Sequence, residues 1–129
     1  MLLLRPEEYQ PRAASRFASV RAQIERLLPR AVVEHIGASA IPGAVSKGDL
    51  DICVRVTPSD HASVVCTLTG CGYIEKLDTL RTQQLCMLEW HKPSEEHAIQ
   101  LVAEGSPFDM FIAFRDALLA DPYLVTEYN

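Results

Sequence analysis

The sequence lacks an excess of positive charge. Its 129 residues include 12 Lys and Arg against 17 Asp and Glu, which gives a formal net charge of -5 at pH 7. A protein that binds duplex nucleic acid usually presents a broad positive surface, because binding releases counterions from the phosphates. We therefore do not expect duplex nucleic acid as a partner.

Long hydrophobic runs are also missing at the N-terminus. The segment Met-Leu-Leu-Leu is interrupted by Arg5 and Pro6. A secretory signal needs an apolar region of roughly 7 to 15 residues, and a membrane helix needs about 20. We expect a cytoplasmic protein that does not associate with membranes.

The four cysteines do not form a metal-binding or redox motif. They are Cys53, Cys66, Cys71 and Cys86, and no two of them are separated by the two residues that zinc ribbons and redox motifs use. Free cysteine is among the most buried residue types. We expect reduced thiols in the core.

Hydrophobic residues make up 48% of the sequence and charged residues 22%, which is typical of one globular domain over 1–129. Phe17, Val20, Ile24 and Leu27 recur at helical spacing, which predicts an amphipathic helix over 11–28. A second helix is predicted from a cap at 57–60 to about 69, a third from Ser106 and Pro107 to about Leu119, and a final helical piece near Pro122.

Five runs rich in β-branched and apolar residues predict strands, over residues 31–36, 49–56, 73–77, 84–90 and 98–103. Helices are interleaved with these strands, and the middle strands look antiparallel. The order of elements predicts an α+β fold with a mixed or antiparallel sheet flanked by helices, rather than a doubly wound parallel sheet.

A glycine-rich loop joins the first two predicted strands. Gly37 would let backbone N–H groups approach a phosphate, the Ser39 hydroxyl adds a donor, and Lys47 adds a point charge. Gly43 and Gly48 have the separation of a Walker loop, but the lysine and hydroxyl that should follow are absent. The loop predicts phosphate binding without a Walker ATPase.

Asp49 and Asp51 follow this loop at the start of a strand. Residues two apart on a strand point to the same face, so the two carboxylates lie side by side and could chelate one cation. Mg²⁺ prefers such oxygen ligands together with substrate phosphates. The alternative is that an aspartate caps the turn after Gly48.

Further residues are candidates for the same site. His35 contacts a phosphate or ribose, or is a hydrogen-bonded structural residue. Gln100 would face the site together with Ala98, because Ile99 and Leu101 alternate as core residues.

A third carboxylate is not evident on that strand. Glu89, on the preceding strand, is a substitute candidate, and an exposed strand glutamate is the alternative. Tyr73, Trp90 and His91 would stack a base or belong to the core, while His61, near a helix start, is expected at the surface.

Arg115 and Asp116 are adjacent on the last long helix and diverge by about a hundred degrees, so we expect that they do not face one spot. Arg115 would pair with a carboxylate near the site, or contact the substrate.

Glycine, serine and a paired aspartate together look like the pattern of polymerase-β-type nucleotidyltransferases. The run from His35 to Gly43, His-Ile-Gly-Ala-Ser-Ala-Ile-Pro-Gly, and the later Phe114-Arg115-Asp116 resemble the GrpB family. The resemblance implies a nucleotidyltransferase-like fold. Ala38 stands where that family usually has serine, and relatives usually continue beyond the final tyrosine. The domain could therefore lack a C-terminal helical segment, whose absence would leave an open site, an exposed apolar patch, or a dimer that buries the patch.

The first functional hypothesis is a metal-dependent nucleotidyltransferase. A nucleoside triphosphate would bind on Gly37 and Ser39, Mg²⁺ would join its phosphates to Asp49 and Asp51, and a small-molecule hydroxyl or amine would accept the nucleotidyl group. The second is a non-catalytic nucleotide- or ligand-binding module, and the third is a protein-interaction domain that retains only the fold. Magnesium with nucleoside triphosphates should stabilise the folded protein under the first two hypotheses only.

Overall fold

The computed structural model describes residues 6–36, 50–92, 96–121 and 123, with side chains described from residue 11 onward. The predicted phosphate loop and the helical piece near Pro122 lie outside the described residues. Among the helices that the structure describes, none is both long and apolar enough to cross a membrane.

The first helix, α1, extends over Pro6–Leu27 and so begins earlier than predicted. Its core-facing stripe consists of buried Ile24 and partly buried Phe17 and Val20. Leu27 is 45% exposed, and Leu28, just beyond the helix, is buried instead. The predicted periodicity is confirmed except at its last position.

Within the described ranges, five strands form one sheet in the order β1-β2-β5-β4-β3. Their bounds are Val32–Ile36 for β1, Asp51–Val56 for β2, Ile74–Glu75 for β3, Leu85–Trp90 for β4 and His97–Ala103 for β5. Strands β2 and β5 are parallel, and the other neighbours are antiparallel. The predicted α+β fold with a mixed sheet is therefore confirmed.

One face of the sheet is covered by α1 and by α2, which spans His61–Gly70. We call this the helical face. Its core strand residues are fully or almost fully buried, and they are Val33, Ile52, Val54, Val56, Cys86, Leu88, Ile99 and Leu101. Each aliphatic side chain buried in this way contributes roughly 1.5 to 3 kcal/mol to folding. This face holds the main core.

The opposite face, which we call the cleft face, is covered in part by α3 over Phe111–Ala120. A smaller cluster packs there, with Cys53 and Val102 from the sheet against Phe111 and Ile112. The prediction that this helix starts near Ser106 was wrong, because 106–110 forms turns.

An ion pair between Arg55 and Asp109 holds those turns against the sheet. The Arg55 Nε donates to both carboxylate oxygens of Asp109, at 2.9 and 2.8 Å. Asp109 also accepts the backbone N–H of Gly105 at 2.9 Å, and Gly105 has a φ of 77°, which glycine adopts without a Cβ penalty. The chain therefore turns before α3 begins.

His61 was expected at the surface, and that expectation was wrong. Its side chain is 1% exposed, and its Nε2 lies 3.0 Å from the carbonyl oxygen of Leu101. Burial lowers the pKa of the imidazole. His61 therefore ties the start of α2 to β5.

The cysteine expectation holds for half of the residues. All four are free thiols, but Cys53 and Cys86 are buried whereas Cys66 and Cys71 are exposed on or just after α2. Burial raises the pKa of Cys53 to about 12, so its thiol is inert.

Candidate functional site

Three residues of the cleft face form a row across the sheet. Asp51, at the start of β2, is opposite Ala98 on β5, and Ala98 is opposite Glu89 on β4. Their neighbours Ile52, Ile99 and Leu88 point to the helical face. Because side chains alternate along a strand, Asp51, Ala98 and Glu89 share the cleft face.

The spacing of the row leaves room between its two carboxylates. Neighbouring strands lie about 4.8 Å apart, so the Cα atoms of Asp51 and Glu89 are roughly 9.6 Å apart. Ala98 contributes only a methyl group between them. Two acidic side chains that lean toward each other over this methyl group could share one small ligand.

Gln100 lies next to the row, on the same face. It is opposite Cys53 and Met87, which both belong to the cleft-face cluster, so the predicted orientation of Ala98 and Gln100 is confirmed. The Oε1 atom of Gln100 is buried and has no hydrogen-bond partner in the part of the chain that the structure describes. A buried polar atom left in this state costs about 1 to 3 kcal/mol. A donor or a cation bound in the cleft would recover that cost.

A cleft of about 320 Å³ opens over these residues. Asp51, Glu89 and Gln100 line this cleft, together with the basic residue Lys76. His91 lies at the rim, where its Nε2 is 3.6 Å from the Glu89 carboxylate. The volume lies at the lower end of the range for small-molecule sites.

The oxygen-bearing side chains of the cleft are of the chemical type that binds a hard cation. Carboxylate and amide oxygens are the ligands that Mg²⁺ prefers. Over the described ranges, with their gaps at 37–49 and 93–95, no three His, Cys, Asp or Glu residues form a group that could hold a metal ion. Asp49, the predicted partner of Asp51, lies outside those ranges, as do Gly37, Ser39 and Lys47.

His35 lies on the helical face of β1, away from Asp51. Its ring stacks on Phe17 with a centroid distance of 5.0 Å and an interplanar angle of 16°. Burial, with a smaller contribution from the Arg115 charge, lowers the pKa of His35 to about 4. The imidazole is neutral at pH 7, and this packing favours the structural alternative for His35.

Arg115 reaches from α3 to β1. Its guanidinium donates to the Glu34 carboxylate at 3.0 Å and to the carbonyl oxygen of His35 at 3.2 Å. It also pairs with Asp116 at 2.8 Å. The expectation that Arg115 and Asp116 do not face one spot was wrong, because the long arginine side chain folds back over its neighbour. Arg115 therefore pairs with the carboxylate of Glu34. Glu34 is opposite Cys53 on β2, and Asp51 lies two residues before Cys53 on that strand.

The resemblance to the GrpB family placed His97 on a histidine-containing strand, but His97 was not among the predicted site residues. It is 8% exposed at the start of β5, and its Nε2 lies 2.7 Å from the Tyr73 hydroxyl. Tyr73 and Trp90 pack together at a centroid distance of 5.0 Å, whereas His91 is exposed. The sequence did contain a signal for the burial of His97, because His97 alternates with the core residues Ile99 and Leu101.

Comparison with solved structures identifies the fold. The conserved protein GrpB from Enterococcus faecalis superposes with a TM-score of 0.74 at 20% identity, covering 98% of this chain and 78% of that one. A Cid1 poly(U) polymerase structure with MgGTP bound gives a TM-score of 0.57 at 17% identity, covering 86% of this chain and 35% of that one. These likenesses confirm a nucleotidyltransferase-like fold.

Comparison with relatives identifies the family. A Vibrio cholerae protein named UPF0157 is 46% identical over all of this chain and 68% of its own length. Two other UPF0157 proteins, from Deinococcus radiodurans and Halalkalibacterium halodurans, are 31% identical, and the chain spans 61% and 60% of their lengths. A family model described as GrpB protein matches residues 5–129, and on these matches the chain belongs to the GrpB family.

Proposed function

We propose that the chain is a metal-dependent nucleotidyltransferase, which transfers a nucleotidyl group from a nucleoside triphosphate to a small-molecule acceptor. The observation that carries the proposal is the cleft, where Asp51 and Glu89 flank Ala98 and a buried Gln100 oxygen lacks a partner among the described residues. The fold supports it, since proteins of similar fold include a poly(U) polymerase with MgGTP bound.

The proposed roles follow the chemistry of each residue. Gly37 and Ser39 bind the phosphates, Lys47 offsets their charge, and Asp49 and Asp51 hold Mg²⁺. When bound, the cation neutralises charge that develops on the phosphates during transfer.

The remaining site residues act on the substrate or its surroundings. Gln100 offers an amide oxygen to the cation or to a substrate N–H or O–H donor. Arg115 acts through Glu34 and the end of β1, so we propose it as a positioning residue. For His35 we retain the phosphate role only as a prediction, because its ring packs against Phe17.

We propose Glu89 as the third carboxylate of the site. Its side chain is 32% exposed and lines the same cleft as Asp51. In the transfer, the acceptor oxygen or nitrogen forms a bond to the α-phosphorus, and the bond to pyrophosphate breaks. The acceptor proton passes to a carboxylate. We propose Glu89 for this role, because it lies within the cleft and is partly exposed to solvent.

Thermal unfolding tests the binding half of the proposal. Mg²⁺ with a nucleoside triphosphate should raise the melting temperature of the chain, because a ligand that binds only the folded state stabilises it. The Asp51→Asn variant should lose the Mg²⁺-dependent part of that shift, while a matched Glu25→Gln change on the exposed side of α1 should keep it. The proposal would be contradicted if none of the four common ribonucleoside triphosphates raised the melting temperature.

Pyrophosphate release tests the transfer half. Release in the presence of a filtered extract of small metabolites should require Mg²⁺, vanish in Asp51→Asn, and fall by roughly 100-fold or more in Glu89→Gln. The alternative function is a non-catalytic nucleotide-binding module. Stabilisation by Mg²⁺ and triphosphate without any release of pyrophosphate would favour that module and contradict catalysis.

A further inference from the structure

A second groove lies on the helical face, between α1 and the end of the sheet. Its volume is about 300 Å³, nearly that of the Asp51 cleft. Arg16 and Gln23 of α1 line one side, and Tyr73, Trp90 and His97 line the other. Among the residues that the structure describes, the row from Asp51 to Glu89 supplies no lining residue to it.

The aromatic wall of the groove is held in one arrangement. Tyr73 contacts Trp90 at a centroid distance of 5.0 Å and meets His97 edge-on at 5.4 Å. Gly72 has a φ of 116°, and a Cβ there would come within 2.9 Å of the Trp90 ring. Trp90 therefore packs directly on the Gly72 backbone, which fixes the plane of its indole. A fixed ring loses little entropy when a second flat group stacks on it.

Two cations border this wall in a chain of net charge -5. The Lys92 ammonium lies 5.0 Å from the centroid of the Trp90 ring. The Arg16 guanidinium donates to the backbone carbonyl of Glu96, which positions it at the groove. No acidic side chain lines the groove in the part of the chain that the structure describes. The groove therefore favours an anion.

We propose that this groove is a second binding site, which takes a small aromatic anion. The flat part of the ligand packs against Tyr73 and takes the place of the Lys92 ammonium over the Trp90 ring, and its carboxylate or phosphate lies between Arg16 and the displaced Lys92. Guanidinium suits this role because its planar set of five N–H donors matches the oxygens of either group. The Ser19 hydroxyl and the Gln23 amide line the groove and can orient polar substituents.

The groove and the Asp51 cleft meet at Trp90 and His97, which line both, but the groove takes its cations and its α1 residues from outside the cleft. Trp90 and His97 share the helical face with Leu88 and Ile99, whereas Glu89 and Ala98 point to the cleft face. The proposal therefore stands apart from the proposed nucleotidyl transfer, and either can fail without the other.

Tryptophan fluorescence tests the proposal directly, because Trp90 is the one tryptophan of the sequence. Benzoate should change the emission saturably. Benzamide, which keeps the ring without the charge, and acetate, which keeps the charge without the ring, should each bind roughly tenfold more weakly or worse, since the first loses the charge-assisted hydrogen bonds and the second loses the aromatic contact. Phenyl phosphate, titrated in parallel, identifies the preferred anionic group.

Variants of the two cations complete the test. Lys92→Ala and Arg16→Ala should each weaken benzoate binding roughly fivefold to tenfold, whereas Arg26→Ala, an equal change of charge further along α1, should not. Asp51→Asn should bind benzoate as the unaltered chain does, with or without Mg²⁺. An emission change that does not saturate, that is unaffected by both cation variants, or that requires Asp51 would overturn the proposal.

Discussion

The two faces of the sheet differ in how completely they are covered, although the same strands form both. On the helical face, α1 and α2 cover the strands, and Ile52, Ile99 and Leu101 are 0% exposed. On the cleft face, α3 covers only part of the sheet, and Asp51 and Glu89 border open space. Adjacent residues of one strand therefore belong to different environments, one in the core and the next in the cleft.

This difference explains how a small chain can hold a polar site without weakening its core. Successive residues of a strand point to opposite faces, so the core positions and the cleft positions do not compete. Gln100 lies between Ile99 and Leu101, and its buried oxygen lacks a partner among the described residues while both neighbours are fully packed. The unsatisfied group is confined to the face where a ligand could reach it.

The largest contrast should appear between neighbours on β5. Leu101→Ala removes a fully buried side chain from the helical face, and it should lower the free energy of unfolding by about 2 to 5 kcal/mol. Gln100→Met keeps the volume and removes the partnerless oxygen, so it should be nearly neutral or stabilising. Urea unfolding measures both. A loss of several kcal/mol in Gln100→Met would mean that the cleft face is packed as tightly as the helical face.

A smaller effect should follow from loosening α3 on the cleft face. The Arg115 side chain is 16% exposed, and Arg115→Met removes its hydrogen bonds to Glu34 and to the carbonyl of His35. We expect a loss of about 1 to 3 kcal/mol in urea unfolding. The control is Asp116→Asn. The Asp116 side chain is 58% exposed, so removing its charge should lower the free energy of unfolding by less than about 1 kcal/mol. Equal losses in both variants would argue against the pair with Glu34.

The smallest expected effect is a pH dependence of the free energy of unfolding, which arises from His35 on the helical face. The folded pKa of His35 is lowered to about 4 from 6.5, mainly by burial. The unfolded chain therefore binds the proton first, and stability falls as pH drops below about 6.5. Between pH 7 and 5.5 the loss from His35 should reach up to about 1 kcal/mol.

Urea unfolding at several pH values measures this dependence. His61 adds to it in the same direction, because burial lowers its pKa as well. His35→Gln should flatten the profile between about pH 7 and 5.5. An unchanged slope in His35→Gln would show that the ring is not held against Phe17.

Local patterns predicted much of the fold. The spacing of Phe17, Val20 and Ile24 identified the core side of α1, since a helix repeats every 3.6 residues. Strand alternation gave the face of Gln100 correctly, because Ile99 and Leu101 had to be inside. These predictions depend only on the period of an element and on its apolar residues.

Two of the wrong predictions, the exposure of His61 and the start of α3, share a physical cause, which is contact between distant parts of the chain. His61 is buried because the carbonyl of Leu101, forty residues away, binds its ring. The chain turns through 106–110 because Arg55 of β2 holds Asp109. Neither contact has a local signature in the sequence.

The sequence by itself determined that the chain has amphipathic helices and alternating strands, and that Asp51 lies near the start of one of them, because propensity and periodicity act over a few residues. Only the tertiary structure decided that Glu89 lies in one row with Asp51, that His35 turns toward Phe17, and that two cations meet an aromatic wall beside α1. Strand order and register set those distances, and both result from packing the whole sheet rather than from any one segment.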